Sequence, residues 1–295
     1  MSVTVALSTP KTRDMRIAEM LGRRRRRVSG FAGMLATAAT VLGLVFLASI
    51  LFTLCWRGLA GLNLTVFTHM TRPPGSDGGL LNAIIGSLVQ TALGTLIGTP
   101  IGLMVGTYLA EYARETKLGG AVRFVSDILL SAPSILVGLF VYVVLVEPLG
   151  GFSGLAGSVS LAIIVIPVVV RTTEDMLRLI PDTLREAAIA LGAPKWKMIV
   201  FICYRAALDG LTTGVLLAVA RVAGETAPLL FTSFGNSTTI GGLRTAMASL
   251  PVAIYQYASS AFDDWVQLAW SGALLITAGV LATNIIARYA LRRRG

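Results

Sequence analysis

Charge-free apolar runs recur along the chain, and each is long enough to be read as a membrane crossing. A helix needs about 20 apolar residues to cross the hydrocarbon. Runs without Asp, Glu, Lys or Arg cover 28–56, 78–110, 128–146, 148–170 and 266–287. A further apolar run, 210–235, is interrupted only by Arg221 and Glu225. The pattern predicts an all-α polytopic protein with six transmembrane helices. The stretch 245–262 is also free of charge, but it holds Pro251, Ser249, Tyr255, Gln256, Tyr257, Ser259 and Ser260. It reads as a loop with an amphipathic segment.

Composition supports this reading. The 295 residues are 55% hydrophobic and 14% charged, with mean hydropathy +0.76. Soluble domains carry about 25% charged residues. The net charge of +10 would suggest nucleic acid in a soluble protein, but its placement here reports topology. On the six-span reading, segments on one side hold 21 Lys/Arg, segments on the other hold three, and Arg221 lies within the membrane. The basic side is cytoplasmic. Arg23–Arg27 and Arg292–Arg294 put both termini there. No nucleic-acid partner is needed to explain the charge. The chain divides into a polar, loose tail (1–27), a first transmembrane helix (28–56) and a core of five helices (78–291). The core carries a cytoplasmic loop, 171–209. The first apolar run is longer than a signal-peptide core.

Chemistry-bearing motifs are few. Cys55 and Cys203 make no disulfide framework, and His69 is the only histidine. No metal-ligand spacing, catalytic constellation or phosphate-cradling Gly-Lys-Ser/Thr loop occurs in the sequence. The sequence therefore predicts no catalytic residue, no bound metal and no cofactor.

Arg221 and Glu225 stand out, because a charge at mid-membrane is costly unless paired or solvated. Eleven residues beyond Gly210, Arg221 falls about 16 Å into the run, and Glu225, four residues on, shares its face. One reading is a self-neutralising pair that fixes helix packing. The other is an anion path, with the planar guanidinium fork meeting oxyanion oxygens. Gly94, Gly98, Gly102 and Gly106, spaced by four, form a stripe for close helix approach. Pro100, Pro133, Pro167 and Pro228 kink or end their spans. Trp56 and Trp265 lie near span ends, where interface aromatics gather.

The cytoplasmic loop predicts two short helices. The first starts near Pro181-Asp182-Thr183, with Leu184, Ala187, Ala188 and Leu191 on one face. Gly192 suits the residue after its end, and Pro194 the first turn of the second helix, through Lys195-Trp196-Lys197. Glu186-Ala187-Ala188, three residues, Gly192, nine residues and Ile202 resemble the EAA loop of bacterial ABC importer permeases. That resemblance implies a type I importer permease fold. It also implies that Glu186, Ala187, Ala188, Leu191, Gly192 and Trp196 form coupling helices seated on an ATPase subunit. The family pattern continues Ile-x-Leu-Pro; here the residues are Ile202-Cys203-Tyr204-Arg205, and Asp209 replaces a second proline. Arg205 and Asp209 are placed to pair on one helix face.

A narrower resemblance lies around the charged run. Ala220-Arg221-Val222-Ala223-Gly224-Glu225-Thr226-Ala227-Pro228-Leu229-Leu230-Phe231-Thr232 is similar to the signature of the PstA permease family, part of the Pst phosphate importers. Tyr108–Tyr112 and Leu250–Tyr255 with Ser259-Ser260 match it as well. The resemblance runs from about Gly78 to the C-terminus. It implies a phosphate-importer permease with Arg221 and Glu225, and more weakly Arg171, on the substrate path. The implied partners are a second, PstC-like permease, two PstB-like ATPase subunits holding Mg-ATP, and an external PstS-like phosphate-binding protein. It implies a place in the bacterial inner membrane. Two alternatives stay open: the same fold with molybdate or sulfate, and nucleotide-independent anion transport. A non-transporting sensor or assembly partner is a third.

Overall fold

A computed structural model describes residues 11–237, 239–240 and 242–292, with side chains left aside for 11–27, 287–288 and 290–292. Met1–Pro10 of the expected tail and Arg293–Arg294 of the C-terminal basic cluster lie outside the described residues. The chain forms two units, Met1–Thr53 and Leu54–Gly295.

The first unit is helical from Lys11, within α1 (Lys11–Ala60). The helix therefore runs through all of the tail expected to be loose from Lys11 onward. Its stretch Val28–Ala60 is long and apolar enough to cross a membrane.

In the second unit, α2 (Leu64–Thr68) is a short turn capped by Asn63, whose side chain accepts from the Val66 N–H at 3.1 Å. Next come α3 (Leu81–Glu111), α4 (Lys117–Ser131) and α5 (Ser134–Val141), which continues as a π-helical turn to Val146. The third expected span, 128–146, takes in only the last turn of α4 with α5 and its π-helical turn; the structure instead joins the whole of α4 to α5 as a pair bent by 102° at Ala132-Pro133. Proline removes a donor and disfavours helical geometry in the residue before it, so the break falls there. The fourth span, α6 (Gly154–Arg178), starts six residues later than expected, because Pro148–Ser153 forms a turn with Gly150 at φ +77°. With two-thirds of its most apolar window buried, α6 is the central helix of this unit.

The cytoplasmic loop folds as α7 (Asp182–Ala190) and α8 (Lys195–Lys197). A π-helical turn, Met198–Cys203, leads into α9 (Tyr204–Ala223). The fifth span is therefore Lys195–Ala223 rather than 210–235. The helix ends at Ala223, and α10 (Ala227–Thr232) begins after a three-residue gap, Gly224, Glu225 and Thr226, with Pro228 in its first turn. The stretch read as a loop contains α11 (Leu250–Ala258), about 14 Å long and too short to span. The last helix is α12 (Asp263–Arg292). Among the described residues five helices meet the length and hydropathy of a span, or six with the bent pair counted as one.

The glycine stripe explains why α3 lies against α6. A Cβ on Gly94, Gly98, Gly102 or Gly106 would stand 2.6–2.8 Å from the Cβ of Leu161, Val165, Val169 or Thr173. Both series advance by four, so the two helices run parallel, ridge against groove. The stripe is thus used inside this chain, where it packs α3 on α6.

Candidate functional site

Arg221 sits in the last turn of α9, and Glu225 lies in the gap before α10. They do not share a continuous helix, as the sequence suggested. The helix ends between them. The pair still forms, with Arg221 Nε 3.8 Å from Glu225 Oε1. The arginine side chain is 42% exposed and the glutamate 17%. A cation at a helix C-terminus is favoured by the unpaired carbonyls there.

Depth is read against α6. Gly210 faces Met176, Gly214 faces Thr172, and Ala218 and Val222 pack among Val165, Val168 and Val169. Arg221 is thus level with the middle of α6. It also ends an exposed stripe on α9 made of Ala206, Asp209, Thr213 and Leu217. Behind it, α10 packs on α5, where Gly138 lets the Pro228 backbone approach. Both broken helices therefore meet beside the charge pair. Discontinuous helices at mid-membrane are a recurrent setting for ion and substrate sites.

Arg171 is differently placed. Its guanidinium lies 3.3 Å from Asp175 and 3.8 Å from Asp127 of α4, half-exposed, in a cluster with two carboxylates. An apolar cavity of about 550 Å³ lies between α3, α9 and α12, and neither Arg221 nor Glu225 lines it.

The second candidate region is the knob of α7 and α8. Helix α7 ends in a Schellman motif: the Gly192 N–H donates to Ile189 O and the Ala193 N–H to Ala188 O, with Gly192 at φ +79°. Of the four residues expected on one apolar face, only Ala188 is buried. Leu184, Ala187 and Leu191 face outward, as do Glu186, Gly192 and Trp196. Leu191 is 90% exposed. The open side of the knob therefore presents Leu184, Ala187, Leu191 and Trp196 beside Glu186, with Asp182, Lys195 and Lys197 also exposed.

Arg185 and Ala188 are the residues of α7 that face the bundle. Arg185 donates to Glu111 of α3 from Nε at 3.2 Å and Nη2 at 2.7 Å. It also donates to Leu177 O and Ile180 O, each at 2.6 Å, and to Asp182 at 3.1 Å. Burial alone lowers the Arg185 pKa, but the hydrogen bonds and charge of Glu111 outweigh it, and the net direction is upward. Lys195 Nζ donates to Glu111 O at 2.6 Å and sits 4.0 Å from the Tyr112 ring centroid.

A second buried cluster holds α4. Glu174, 2% exposed, pairs with Arg123 at 2.6 Å and Arg178 at 2.7 Å, and Arg123 also donates to Leu109 O and Ala113 O. Sequence reasoning missed both clusters. One signal was available: Glu174 and Arg178 are four apart, and so are Glu111 and Glu115 at the end of a span, where charge must find a partner or water.

One of the residues that depart from the EAA pattern has a definite partner. The Tyr204 hydroxyl bonds Thr107 of α3 at 2.6 Å. Without prolines at 205 and 209 the helix runs unbroken to Ala223. The expected Arg205–Asp209 pair does not form among the described residues.

Residues 98–295 match the family model described as "Binding-protein-dependent transport system inner membrane component". The phosphate transport system permease protein PstA of Pasteurella multocida is 54% identical over 254 residues, covering 86% of this chain and 91% of that protein. The PstA of Yersinia pestis is 51% identical, covering 92% of each. PstA 1 of Mycobacterium tuberculosis (strain H37Rv) is 36% identical over 92% of this chain. Among solved structures, an inward-facing chain of the MetNI methionine ABC transporter aligns with TM-score 0.61 at 23% identity, covering 72% of this chain and 95% of that one. A bacterial ABC transporter involved in alginate import aligns at 0.63 and 14% identity, covering 93% and 99%. These two structures establish the fold. The chain belongs to the family of binding-protein-dependent transport system inner membrane components, the multi-pass permease subunits of ABC importers.

Proposed function

We propose that this chain is a permease subunit of an ATP-driven phosphate importer in the bacterial inner membrane, with both termini cytoplasmic. One observation carries the substrate class: an arginine with a 42% exposed side chain, level with the middle of the central helix and beside two broken helices. A guanidinium presents five donors in a planar fork that matches tetrahedral oxyanions. Glu225, 3.8 Å away, neutralises the site when it is empty and competes with the anion for release. The relatives at 54% and 51% identity are named as phosphate transport permeases, which supports phosphate over sulfate or molybdate.

The exposed stripe on α9 faces a second, PstC-like permease across the path. An external PstS-like protein delivers phosphate. Two PstB-like ATPase subunits hold Mg-ATP, and one seats the open face of the knob around Leu184, Ala187 and Leu191, with Glu186, Gly192 and Trp196 at its edge. Closure of the ATPase dimer moves the knob, tilts the helices and opens the path outward; hydrolysis returns it inward. Arg171, held by Asp127 and Asp175, stays a secondary candidate on the path.

The test is uptake of labelled phosphate by proteoliposomes holding the whole complex, with excess unlabelled competitors. Competition by phosphate and none by sulfate or molybdate is expected. Competition by sulfate or molybdate alone would assign a different oxyanion. Uptake by this chain alone, without nucleotide, would remove the ATPase from the account.

A further inference from the structure

We infer that the Glu111–Arg185 ion pair is the joint through which motion of the cytoplasmic knob enters the membrane helices, so that Arg185 is a positioning residue for transport. The inference rests on the ATP-driven reading above. It starts from how little else attaches α7. Of its nine residues, Arg185 and Ala188 are buried, and Ala188 offers one methyl group to the neighbouring core. The attachment is therefore mainly the guanidinium.

All five N–H donors of Arg185 are used. Nε and one Nη2 hydrogen go to Glu111 at the end of α3. The other Nη2 hydrogen and one Nη1 hydrogen go to the carbonyls of Leu177 and Ile180, at and just past the end of α6. The last Nη1 hydrogen returns to Asp182 in the first turn of α7. A single planar group thus fixes three elements at once. Both members of the ion pair are nearly dry, at 8% and 3% side-chain exposure.

Stability alone does not explain such a pair. A well-packed apolar seat would hold as well or better, because two buried charges must be desolvated. The fork supplies direction instead. It resists rotation as well as separation, which a methyl seat does not. Two further ties converge on the end of α3: Lys195, at the start of α8, reaches Glu111 O, and Arg114, three residues past that end and itself donating to Ala110 O, lies 3.3 Å from Asp182. Both ends of the knob are thus secured at the end of α3. From there α3 rides on α6 through the glycine stripe, and α6 packs at Val165–Val169 against the α9 turn that carries Arg221. A displacement of α7 reaches the charge pair through parts that move together.

The experiment uses the complete complex with its ATPase and binding protein, reconstituted in proteoliposomes. Arg185→Lys keeps the charge but has three donors without a planar fork. Phosphate taken up per ATP hydrolysed is expected to fall at least tenfold, with the amount of assembled complex and the basal hydrolysis unchanged. Glu111→Gln is expected to lower it too, and the double variant to be no worse than the weaker single one, because both changes break one joint. Wild-type uptake per ATP in Arg185→Lys would overturn the inference, and so would additive losses in the double variant.

Spin labels at Thr183 and Glu115, with a reference pair at Thr183 and Ala282, test the joint with Arg185 and Glu111 intact. The first separation is expected to stay constant on ATP binding while the second changes. A shift of several ångströms in the first would overturn the inference even if Arg185→Lys failed to assemble. This measurement needs ATP binding only. A complex that takes up no phosphate would therefore refute the transport reading while the joint is still being read.

Discussion

Arg221 and Glu225 form an ion pair across a helix break: Arg221 closes α9, Glu225 lies in the gap before α10, and 3.8 Å separates their nearest charged atoms. The separation exceeds a hydrogen bond, and the arginine is nearly half-exposed. The pair contributes little to stability, on the order of 1 kcal/mol or less. A weak pair around an accessible arginine suits a site that must release its counter-charge each time an anion passes.

Glu225→Gln leaves Arg221 without its competitor. Apparent affinity for phosphate is then expected to rise severalfold while maximal uptake falls. Both are read from the concentration dependence of initial uptake rates in the reconstituted complex. Unchanged affinity and rate would show that Glu225 does not compete with the anion.

Gly102→Val places a Cβ 2.6 Å from the Val169 Cβ and 3.1 Å from Ile166 O. The helix pair must separate, at a cost of about 1–3 kcal/mol for overpacking. The thermal midpoint of the purified chain in detergent is expected to drop. The same change at Gly120, which has nothing within 4 Å of the added Cβ, is expected to leave the midpoint near its original value.

The glycines show how far the sequence was legible. A period of four with no side chain marks a close helix contact, so the stripe on α3 is visible in the sequence, whereas its partner, α6, is given only by the structure. Five long apolar helices and a sixth, bent crossing, the Gly192 helix stop and the short α7 and α8 follow from local rules in the same way, although the bounds of several crossings do not. The misplaced elements have a common cause. Arg221 and Glu225 are four apart, and a continuous helix is the simplest reading of that spacing; the stop at Gly224 depends on how α10 packs against α5. Likewise, Leu184, Ala187 and Leu191 form an apolar face, and the sequence does not say that this face points away from the chain. The partnerships of Glu111 with Arg185 and Glu174 with Arg123 are long-range, 74 and 51 residues apart, and no local pattern encodes them.

Glu174→Gln leaves Arg123 and Arg178 without their shared carboxylate. Removing one member of a buried ion cluster costs about 3–5 kcal/mol, and the partial exposure of both arginines brings the expected loss toward the lower end. Thermal melting of the detergent-solubilised chain checks this, with Glu115→Gln, an exposed acid, as the control.

Leu191, 90% exposed beside the left-handed Gly192, separates docking from folding. Leu191→Glu is expected to leave the melting midpoint of the chain unchanged and to lower ATPase co-purification about tenfold. Gly192→Ala instead forces a side chain into φ +79°, at a cost of roughly 1–2 kcal/mol, and is expected to lower both. Normal ATPase recovery with Leu191→Glu would show that the open face of the knob is not the seat.

The account rests on Arg221 meeting the anion in a path driven by the ATPase. ATP-dependent uptake of labelled phosphate by proteoliposomes with the Arg221→Gln complex measures this directly. With subunits recovered in wild-type proportion and the melting midpoint of the chain unchanged, uptake is expected at the level of liposomes without transporter. Uptake at the wild-type rate in that variant would contradict the account and leave the Arg221–Glu225 pair a packing feature.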